Sequence, residues 1–386
     1  MVLFFISLCG LASAVAYRSI DPLVTSLARE FSVPVATAAL VASAYALPYA
    51  LGQPVLGPIG DAFGKGRLLA ICLAILTLTL IAGAWVTDFD MLLTLRFVGG
   101  LAGGGTMPVA MALIGDKFPP DQRQVAIARF LAATLIGQIL ASTLSGLLAE
   151  TIGWRAFFYA GALTTAIAAT GAAIVLREKT STASTRPSLA GAYGGYADVF
   201  RNPKSFLCFG TVFLESIAIF AVTPFISEIL ESNGLGGPKE AGMVIAGIGI
   251  GGLVYSLAVT WLMRHLTRVS FMAWGGVIGG VSLGLCIILP SWGILATLFS
   301  LLGFGFLMIH NSVQTEVASL APQARAAAFS VHAFSFFMGQ ALGPVLFGYG
   351  LHHFGLSPTL LAHAILLTAV GLGASALFAR QSRELL

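Results

Sequence analysis

Four ionisable side chains lie well inside long apolar stretches of this chain: Arg18, Asp21, Arg96 and Glu215. Charged groups are costly in apolar surroundings, so residues in such positions mark a functional site by default. Arg18 and Asp21 are three residues apart and therefore share one face of a helix, where they can pair. A carboxyl in this setting can load and release a proton, and a guanidinium can hold an anion. These residue types indicate proton exchange or anion binding, with a static buried ion pair as the alternative.

Glu215 stands among phenylalanines and is the one carboxyl well inside the second half of the sequence. Such an acid can exchange a proton in contact with a substrate, or it can stay neutral and hydrogen-bonded to a neighbouring helix. His310 and His332 are further candidates for proton exchange. For each histidine the alternative is a hydrogen bond that only supports packing.

Composition explains why these surroundings are apolar. Hydrophobic residues make up 57% of the 386 residues and charged residues 9%, whereas a typical soluble domain has about 25% charged residues. The chain is therefore expected to lie in a lipid bilayer. The net charge of +4 is spread over short segments between apolar stretches, which argues against a nucleic-acid partner. The four cysteines have neither paired spacing nor a histidine partner, so no metal and no cofactor is expected.

The helices that must position these residues follow from the lengths of the apolar stretches. A bilayer core about 30 Å thick needs roughly 20 helical residues to cross it. Twelve stretches are long enough, and they are called spans 1 to 12 in chain order. They are expected near residues 3–28, 35–57, 68–87, 91–114, 125–150, 154–176, 205–230, 240–263, 269–289, 292–316, 326–351 and 357–379. The sequence thus predicts an all-α membrane protein, whose first span is not a removed signal because no cleavage region follows it.

A polar segment divides these spans into two groups of six. We expect an N-terminal six-helix bundle over 1–176, a cytoplasmic linker over 177–204 and a C-terminal six-helix bundle over 205–386. A constant shift of 202 residues superimposes the two groups, which indicates two homologous halves. The equivalent pairs include Pro22 and Pro224, Pro120 and Pro322, Arg123 and Arg325, and Gln138 and Gln340.

The basic residues predict the orientation of the spans. With both termini in the cytoplasm, 15 Lys and Arg residues fall inside or at the cytoplasmic ends of helices, and only Arg29, Arg155 and Lys239 fall outside. The positive-inside rule therefore predicts cytoplasmic termini in a cell inner membrane. The helix ends predicted to face the cytoplasm are called inner ends, and the opposite ends outer ends.

A glycine-rich polar turn is expected between spans 2 and 3. Its residues of interest are Gly57, Gly60, Asp61, Gly64, Lys65 and Arg67. Gly57, Asp61, Gly64 and Lys65 match the pattern G-x-L-a-D-r-x-G-r-k, and the turn resembles the signature loop of the major facilitator superfamily, from which it departs at Ala62. The resemblance implies that Gly57, Asp61, Gly64, Lys65 and Arg67 form a conformational loop that holds one state of a transporter.

Two further stretches resemble patterns of that superfamily. In span 4, Arg96 and Gly100 match l-x-x-x-R-x-x-q-G, and the resemblance implies that the arginine takes part in proton coupling. Asp21 and Arg96 should lie at similar depth, so a contact between them is allowed. Span 5 is similar to the drug:proton antiporter pattern g-x-x-x-G-P-x-x-x-G in its small residues, but the Gly-Pro core is found instead on span 11, at Gly343 and Pro344.

The resemblance implies alternating access of two bundles around a midplane site lined mainly by spans 1, 4, 7 and 10. Aromatic and sulfur-containing residues on these spans favour a small amphipathic organic substrate. The candidate cavity residues are Tyr17, Met107, Phe213, Phe220, Phe306 and His310. Proton-coupled export by a monomer is the first expectation, with protons, the bilayer and a small molecule as partners. The alternative is proton-coupled uptake of a small organic anion held by Arg18 or Arg96. An enzyme is not expected, since no nucleophile with a base is found.

Overall fold

A computed structural model describes residues 1–176, 189–288 and 291–383 of the chain. The side chains of residues 61, 62, 120, 121, 124, 189–194, 382 and 383 are outside this description. The described residues contain no β-strand, and twelve helices among them are long and apolar enough to cross a membrane. They are Val2–Glu30, Val35–Gly60, Lys65–Trp85, Phe89–Lys117, Val125–Thr151, Arg155–Val175, Ser205–Ser232, Pro238–Leu262, Arg268–Ile288, Trp292–Leu320, Arg325–Phe354 and Leu356–Gln381. The predicted all-α fold with twelve transmembrane helices is confirmed.

Spans 1 and 7 are broken at equivalent positions. In span 1 the helix Val2–Arg18 gives way to a 3-10 turn at Asp21–Leu23 and then to the helix Val24–Glu30. Span 7 repeats this with the helix Ser205–Phe220, a 3-10 turn at Thr223–Phe225 and the helix Ile226–Ser232. Each turn contains a proline, whose missing N–H interrupts the helical hydrogen bonds. The repeat seen in the sequence is therefore a structural repeat.

Close packing of helices rests on glycines, as the four-residue spacing of Gly100 and Gly104 in the sequence predicts. Span 4 consists of the helices Phe89–Gly104 and Thr106–Lys117, and its glycines face span 2. A Cβ atom at Gly100 would lie 2.3 Å from the carbonyl oxygen of Tyr45. In the other half, a Cβ atom at Gly251 would lie 1.8 Å from the carbonyl oxygen of Ser300. No other residue fits at these two backbone contacts.

The two halves meet along spans 1 and 7 near their outer ends. The hydroxyl groups of Thr25 and Ser227 are 2.8 Å apart, and Arg29 forms an ion pair with Glu231. Both pairs join residues that are 202 positions apart, so each residue contacts its own repeat partner. Contacts of this kind lie on the axis that relates the halves.

The turn between spans 2 and 3 is shorter than we expected. The helix Leu40–Phe63 continues through Gly57, and only Gly64, with φ of 96°, separates it from span 3. Gly57 therefore lies in a helix rather than in a loop. Lys65 Nζ is 2.6 Å from a carboxylate oxygen of Asp116 at the inner end of span 4, and Arg67 is exposed. The side chain of Asp61 lies outside the described residues.

A helix at Leu189–Arg201 occupies part of the predicted linker, and residues 177–188 of the linker lie outside the described residues. Tyr196 donates a hydrogen bond of 3.1 Å to the carbonyl oxygen of Pro54 in span 2. Asn202 donates one of 2.9 Å to the carbonyl oxygen of Leu320 in span 10. The linker segment thus contacts both groups of spans, and the division into 1–176, 177–204 and 205–386 stays a prediction.

Candidate functional site

A cavity of about 240 Å³ lies between the two groups of spans. Spans 1, 2, 4, 5, 7, 8, 10 and 11 all contribute to its wall, which is twice the number of spans that we expected. Its uncharged polar lining includes Ser13, Thr134, Gln138, Ser142, Gln314 and Gln340. A partly polar cavity at the junction of two repeats is the arrangement in which transporters hold a substrate.

Most of the cavity residues expected from the sequence line this space. They are Tyr17, Met107, Phe220, Phe306 and His310, and Arg18, which was predicted as a transport residue, lines the space as well. Phe213 is not among the lining residues; it lies two helical turns from Phe220, about 10 Å closer to the inner end. Asp21, Arg96 and Glu215 are also outside the lining, although each is buried. The transport roles of all these residues stay predictions.

Arg18 is held between a carboxylate, an amide and two aromatic rings. Its Nη1 is 3.3 Å from Asp21 Oδ2, and its Nη2 donates a hydrogen bond of 2.7 Å to Gln340 Oε1. The guanidinium carbon lies 4.2 Å from the ring centre of Phe220 and 5.0 Å from that of Tyr17. The same Gln340 oxygen accepts a 2.5 Å hydrogen bond from the Tyr17 hydroxyl. Because Gln340 is on span 11, this cluster connects the two halves.

Asp21 lies behind Arg18 as seen from the cavity. It is 3% exposed and lines a separate space of about 10 Å³, which also includes Thr223 and Pro224 of span 7. The local pairing with Arg18 that the three-residue spacing predicts is present. Asp21 can therefore reach substrate only through a change in the position of Arg18.

Arg96 does not contact Asp21, contrary to the contact that similar depth allowed. Its Nη1 donates a hydrogen bond of 3.0 Å to the carbonyl oxygen of Ala16, and its Nε donates one of 3.3 Å to that of Val41. Its guanidinium carbon lies 4.1 Å from the ring centre of Tyr45. Ala16 is in the last turn of a helix, where carbonyl groups lack helical partners. The arginine thus joins spans 1, 2 and 4 through backbone acceptors.

Glu215 begins a chain of three titratable side chains in the C-terminal half. The side chain is fully buried, and its Oε1 is 2.6 Å from His310 Nδ1. The Nε2 atom of His310 is 3.2 Å from the Nε2 atom of His332. Both histidines line the cavity, whereas Glu215 does not. A proton on the carboxyl therefore has a hydrogen-bonded route to the cavity wall.

An aromatic wall continues from this chain toward span 1. Phe336 stacks on Phe306 with ring centres 5.8 Å apart, and it meets Phe337 edge-on at 5.2 Å. Phe337 in turn lies 4.4 Å from Tyr49. The sequence reasoning missed Phe336, Phe337, Tyr49 and Gln340 as lining residues. For Gln340 a signal existed, since it repeats Gln138 of span 5 and both line the cavity.

Among the described residues, no cluster of His, Cys, Asp or Glu has a geometry that could hold a metal ion. The arrangement combines hydrogen-bonded titratable side chains with a shared polar and aromatic space. Such a site can bind a small molecule and can couple its binding to protonation.

Comparison with known proteins supports the same fold. The family model described as Major Facilitator Superfamily matches residues 6–326 and 207–385. The uncharacterized MFS-type transporter YfhI of Bacillus subtilis is 26% identical over 96% of this chain and 92% of its own length. Quinolone resistance protein NorA of Staphylococcus aureus is 24% identical over 80% of this chain and 79% of its own length.

Two solved structures have a similar arrangement of helices. A variant of the nucleoside transporter NupG gives a TM-score of 0.81 at 15% identity, covering 98% of this chain and all of its own. A bacterial homologue of the human lysosomal transporter Spinster, in an inward-facing and unoccupied conformation, gives a TM-score of 0.76 at 16% identity. This match covers 98% of this chain and 97% of the homologue. At these identities the likeness concerns the fold. With the family model matching nearly the whole length, the chain is a multi-pass membrane protein that belongs to the major facilitator superfamily.

Proposed function

We propose that this protein is a proton-coupled secondary transporter that works by alternating access and exports small amphipathic organic compounds by proton antiport. The observation that carries the proposal is the chain Glu215, His310 and His332, which connects a fully buried carboxyl to the wall of the central cavity. These three side chains can gain or lose a proton while the substrate occupies the cavity.

The proposed proton route follows from the donors and acceptors of the three side chains. A protonated Glu215 donates to His310 Nδ1, whereas an ionised Glu215 accepts from a protonated Nδ1. The contact between the two Nε2 atoms needs one ring to donate and the other to accept. A proton given to His310 at Nδ1 can therefore leave from its Nε2 toward His332. The step returns His310 to the neutral form and delivers the charge to the cavity.

Alternating access would use the contacts between the halves. The pairs Thr25 with Ser227 and Arg29 with Glu231 join the halves near their outer ends. Opening that side requires these contacts to separate while the bundles rock about the cavity. Protonation of Glu215, His310 or His332 would favour one of the two positions of the bundles, because these side chains have different surroundings in each position.

Export is favoured by one relative. NorA is called a quinolone resistance protein, and it matches four fifths of this chain. The aromatic wall of the cavity fits an amphipathic compound. Uptake of a small organic anion is the second candidate, and the position of Arg18 in the cavity wall favours it. The two candidates share the proton chain and differ in the direction of coupling.

Purified protein in liposomes tests the proposal. A fluorescent quinolone is added outside vesicles with an acidic interior, and its entry is compared with entry into protein-free vesicles. Antiport predicts protein-dependent accumulation inside, and collapse of the gradient with a protonophore should abolish it. Flux that ignores the gradient would contradict proton coupling. Faster flux with the opposite gradient would instead indicate symport and hence uptake.

A further inference from the structure

We infer that the central cavity binds a small aromatic carboxylate, with its carboxylate on the guanidinium of Arg18 and its ring against Phe220 and the neighbouring phenylalanines. The inference rests on the proposed function, because it names the substrate class of the proposed transport cavity. It does not depend on the direction of transport.

The first argument is the charge of the wall. Arg18 is the one permanently charged side chain among the described residues that line the cavity. The two nearest buried carboxyls are turned away from this space, since Asp21 lines a separate small cavity and Glu215 is fully buried behind His310. A cation entering the cavity would therefore meet a guanidinium and no exposed carboxylate. An anion would meet a partner.

The second argument is the number of donors on Arg18. A guanidinium has five N–H donors, and the contacts with Asp21 and Gln340 use two of them. The Asp21 contact is 3.3 Å, longer than the roughly 2.8 Å of a strong charge-assisted hydrogen bond. Three N–H donors of Arg18 are thus left for a ligand. A ligand carboxylate can also compete with Asp21 for the Nη1 donor.

The third argument is what surrounds the charge. Phe220 lies under the guanidinium and contacts Phe306 and Phe336 edge-on, with ring centres 5.6 Å away in each case. Tyr17 borders the guanidinium and contacts Phe337 edge-on at 5.5 Å. A ring attached to a carboxylate on Arg18 would therefore lie among aromatic edges and faces, which is a favourable packing for another ring.

The fourth argument is size. The cavity volume of about 240 Å³ is below the roughly 300–1,000 Å³ of pockets that take drug-sized ligands. One ring with one carboxylate fits this space, and a large multi-ring compound requires the bundles to separate further. The chemistry of the wall and its volume thus point to the same small anion.

Binding by the purified protein in detergent tests this inference. We would measure benzoate, benzylamine and benzamide, three ligands of similar shape with negative, positive and no charge, by calorimetry and by the shift of the melting temperature. Benzoate is expected to bind at least about tenfold more tightly than either other ligand, because benzoate alone can form an ion pair with the guanidinium of Arg18. Equal binding of the three ligands, or preference for benzylamine, would overturn the inference.

Two variants of Arg18 and one matched control sharpen the test. Arg18→Gln should remove benzoate binding, and Arg18→Lys should restore part of it, because a lysine keeps the charge but not the planar fork. Arg201→Gln removes an arginine from an exposed position and should bind benzoate as the wild type does. Unchanged benzoate binding in Arg18→Gln contradicts the inference. If Arg18→Gln fails to fold, the ligand series on the wild-type protein decides alone.

Asp21→Asn gives a result that a merely structural role of Arg18 would not produce. Removing the competing carboxylate should raise the affinity for benzoate several-fold while leaving benzamide unaffected. An unchanged or lower affinity would contradict the competition. Quinolone transport driven by a proton gradient without benzoate binding would reject the substrate class and keep the proposed function. Benzoate binding through Arg18 without gradient-driven transport would do the reverse.

Discussion

The two halves of the molecule share their backbone and differ in their buried charges. The turns at Asp21–Leu23 and Thr223–Phe225 are equivalent, and each contains a proline. At the repeat positions, however, Arg18 faces Phe220, which is its own partner 202 residues later. Arg96 corresponds to Leu298, and Glu215 corresponds to Ser13. The halves therefore share the proline-containing turns that shape the helices, and they differ at the positions of the buried charged side chains.

This difference teaches how a symmetric scaffold acquires an asymmetric function. The N-terminal half holds its arginines with a carboxylate and with backbone carbonyls. The C-terminal half holds a carboxyl with a histidine that reaches the cavity. If anion binding belongs to the first half and proton exchange to the second, the bundles must move together to couple the two events. Substitutions in each half test whether the two functions are divided in this way.

The largest expected effect concerns the acid of the C-terminal half. Glu215→Gln should abolish gradient-driven transport and leave substrate binding nearly unchanged, because the amide cannot exchange a proton and does not line the cavity. The measurement compares flux with and without a pH gradient in liposomes. Glu150→Gln, which changes an exposed carboxyl at the end of span 5, is the control and should transport normally.

Moving the acid to its repeat position sharpens the comparison. Ser13→Glu combined with Glu215→Gln places a carboxyl in the N-terminal half, where Pro108 and Phe130 stand at the positions of His310 and His332. Without histidine partners the moved acid should not restore gradient-driven transport. Restoration would show that any buried acid near the cavity is sufficient.

The second effect concerns the arginine of span 4. Arg96→Leu introduces the residue of its repeat partner and removes the hydrogen bonds that the guanidinium donates to the carbonyl groups of Ala16 and Val41. Each lost hydrogen bond from this charged donor should cost about 1.5–3 kcal/mol of stability. We expect a lower melting temperature in detergent, with gradient-dependent transport kept by the folded fraction. Arg264→Leu, at an exposed position, should melt as the wild type does.

Loss of gradient dependence in Arg96→Leu would contradict this purely structural role. It would support the coupling role that the superfamily resemblance implies for Arg96. The measured ratio of flux with and without a gradient therefore decides between the two interpretations, independently of how much protein remains folded.

The sequence predicted the elements better than their contacts. Apolar length and glycine spacing gave the twelve spans and the close packing at Gly100, because each depends on local composition. Pro22 and Pro224 were identified only as repeat partners, and the break of the helix at each of them is a finding of the structure. The start of the turn between spans 2 and 3 was predicted wrongly. A glycine such as Gly57 is typical of a loop in the sequence, but it lies within a helix in the structure.

The contacts of the candidate site were beyond a sequence pattern for physical reasons. Glu215 and His310 are 95 residues apart, and their pairing depends on how spans 7 and 10 are rotated against each other. Arg96 is held by backbone carbonyls, which every residue possesses and which leave no signal in the sequence. The repeat offset was the one available guide to distant pairs, and it applies to Thr25 and Ser227 on the axis.

The smallest expected effect tests whether that axis is where the halves separate. Arg29 and Glu231 are repeat partners of opposite charge, and the Arg29 side chain is 65% exposed. An exposed pair contributes only about 0.2–1 kcal/mol, so its loss should shift the equilibrium toward an open outer side by at most a few-fold. Thr25→Cys, at a buried position beside this pair, reports opening through its rate of reaction with a membrane-impermeant maleimide.

In the Thr25→Cys background, Arg29→Gln and Glu231→Gln should each speed the reaction by a similar small factor. The double variant should react no faster than either single one, because both remove the same interaction. Reversing the charges with Arg29→Glu and Glu231→Arg should slow the reaction again, and high salt should shrink all the differences. Identical rates in every variant would mean that this pair does not hold the halves together, and that the packing of spans 1 and 7 closes the outer side without help from charge.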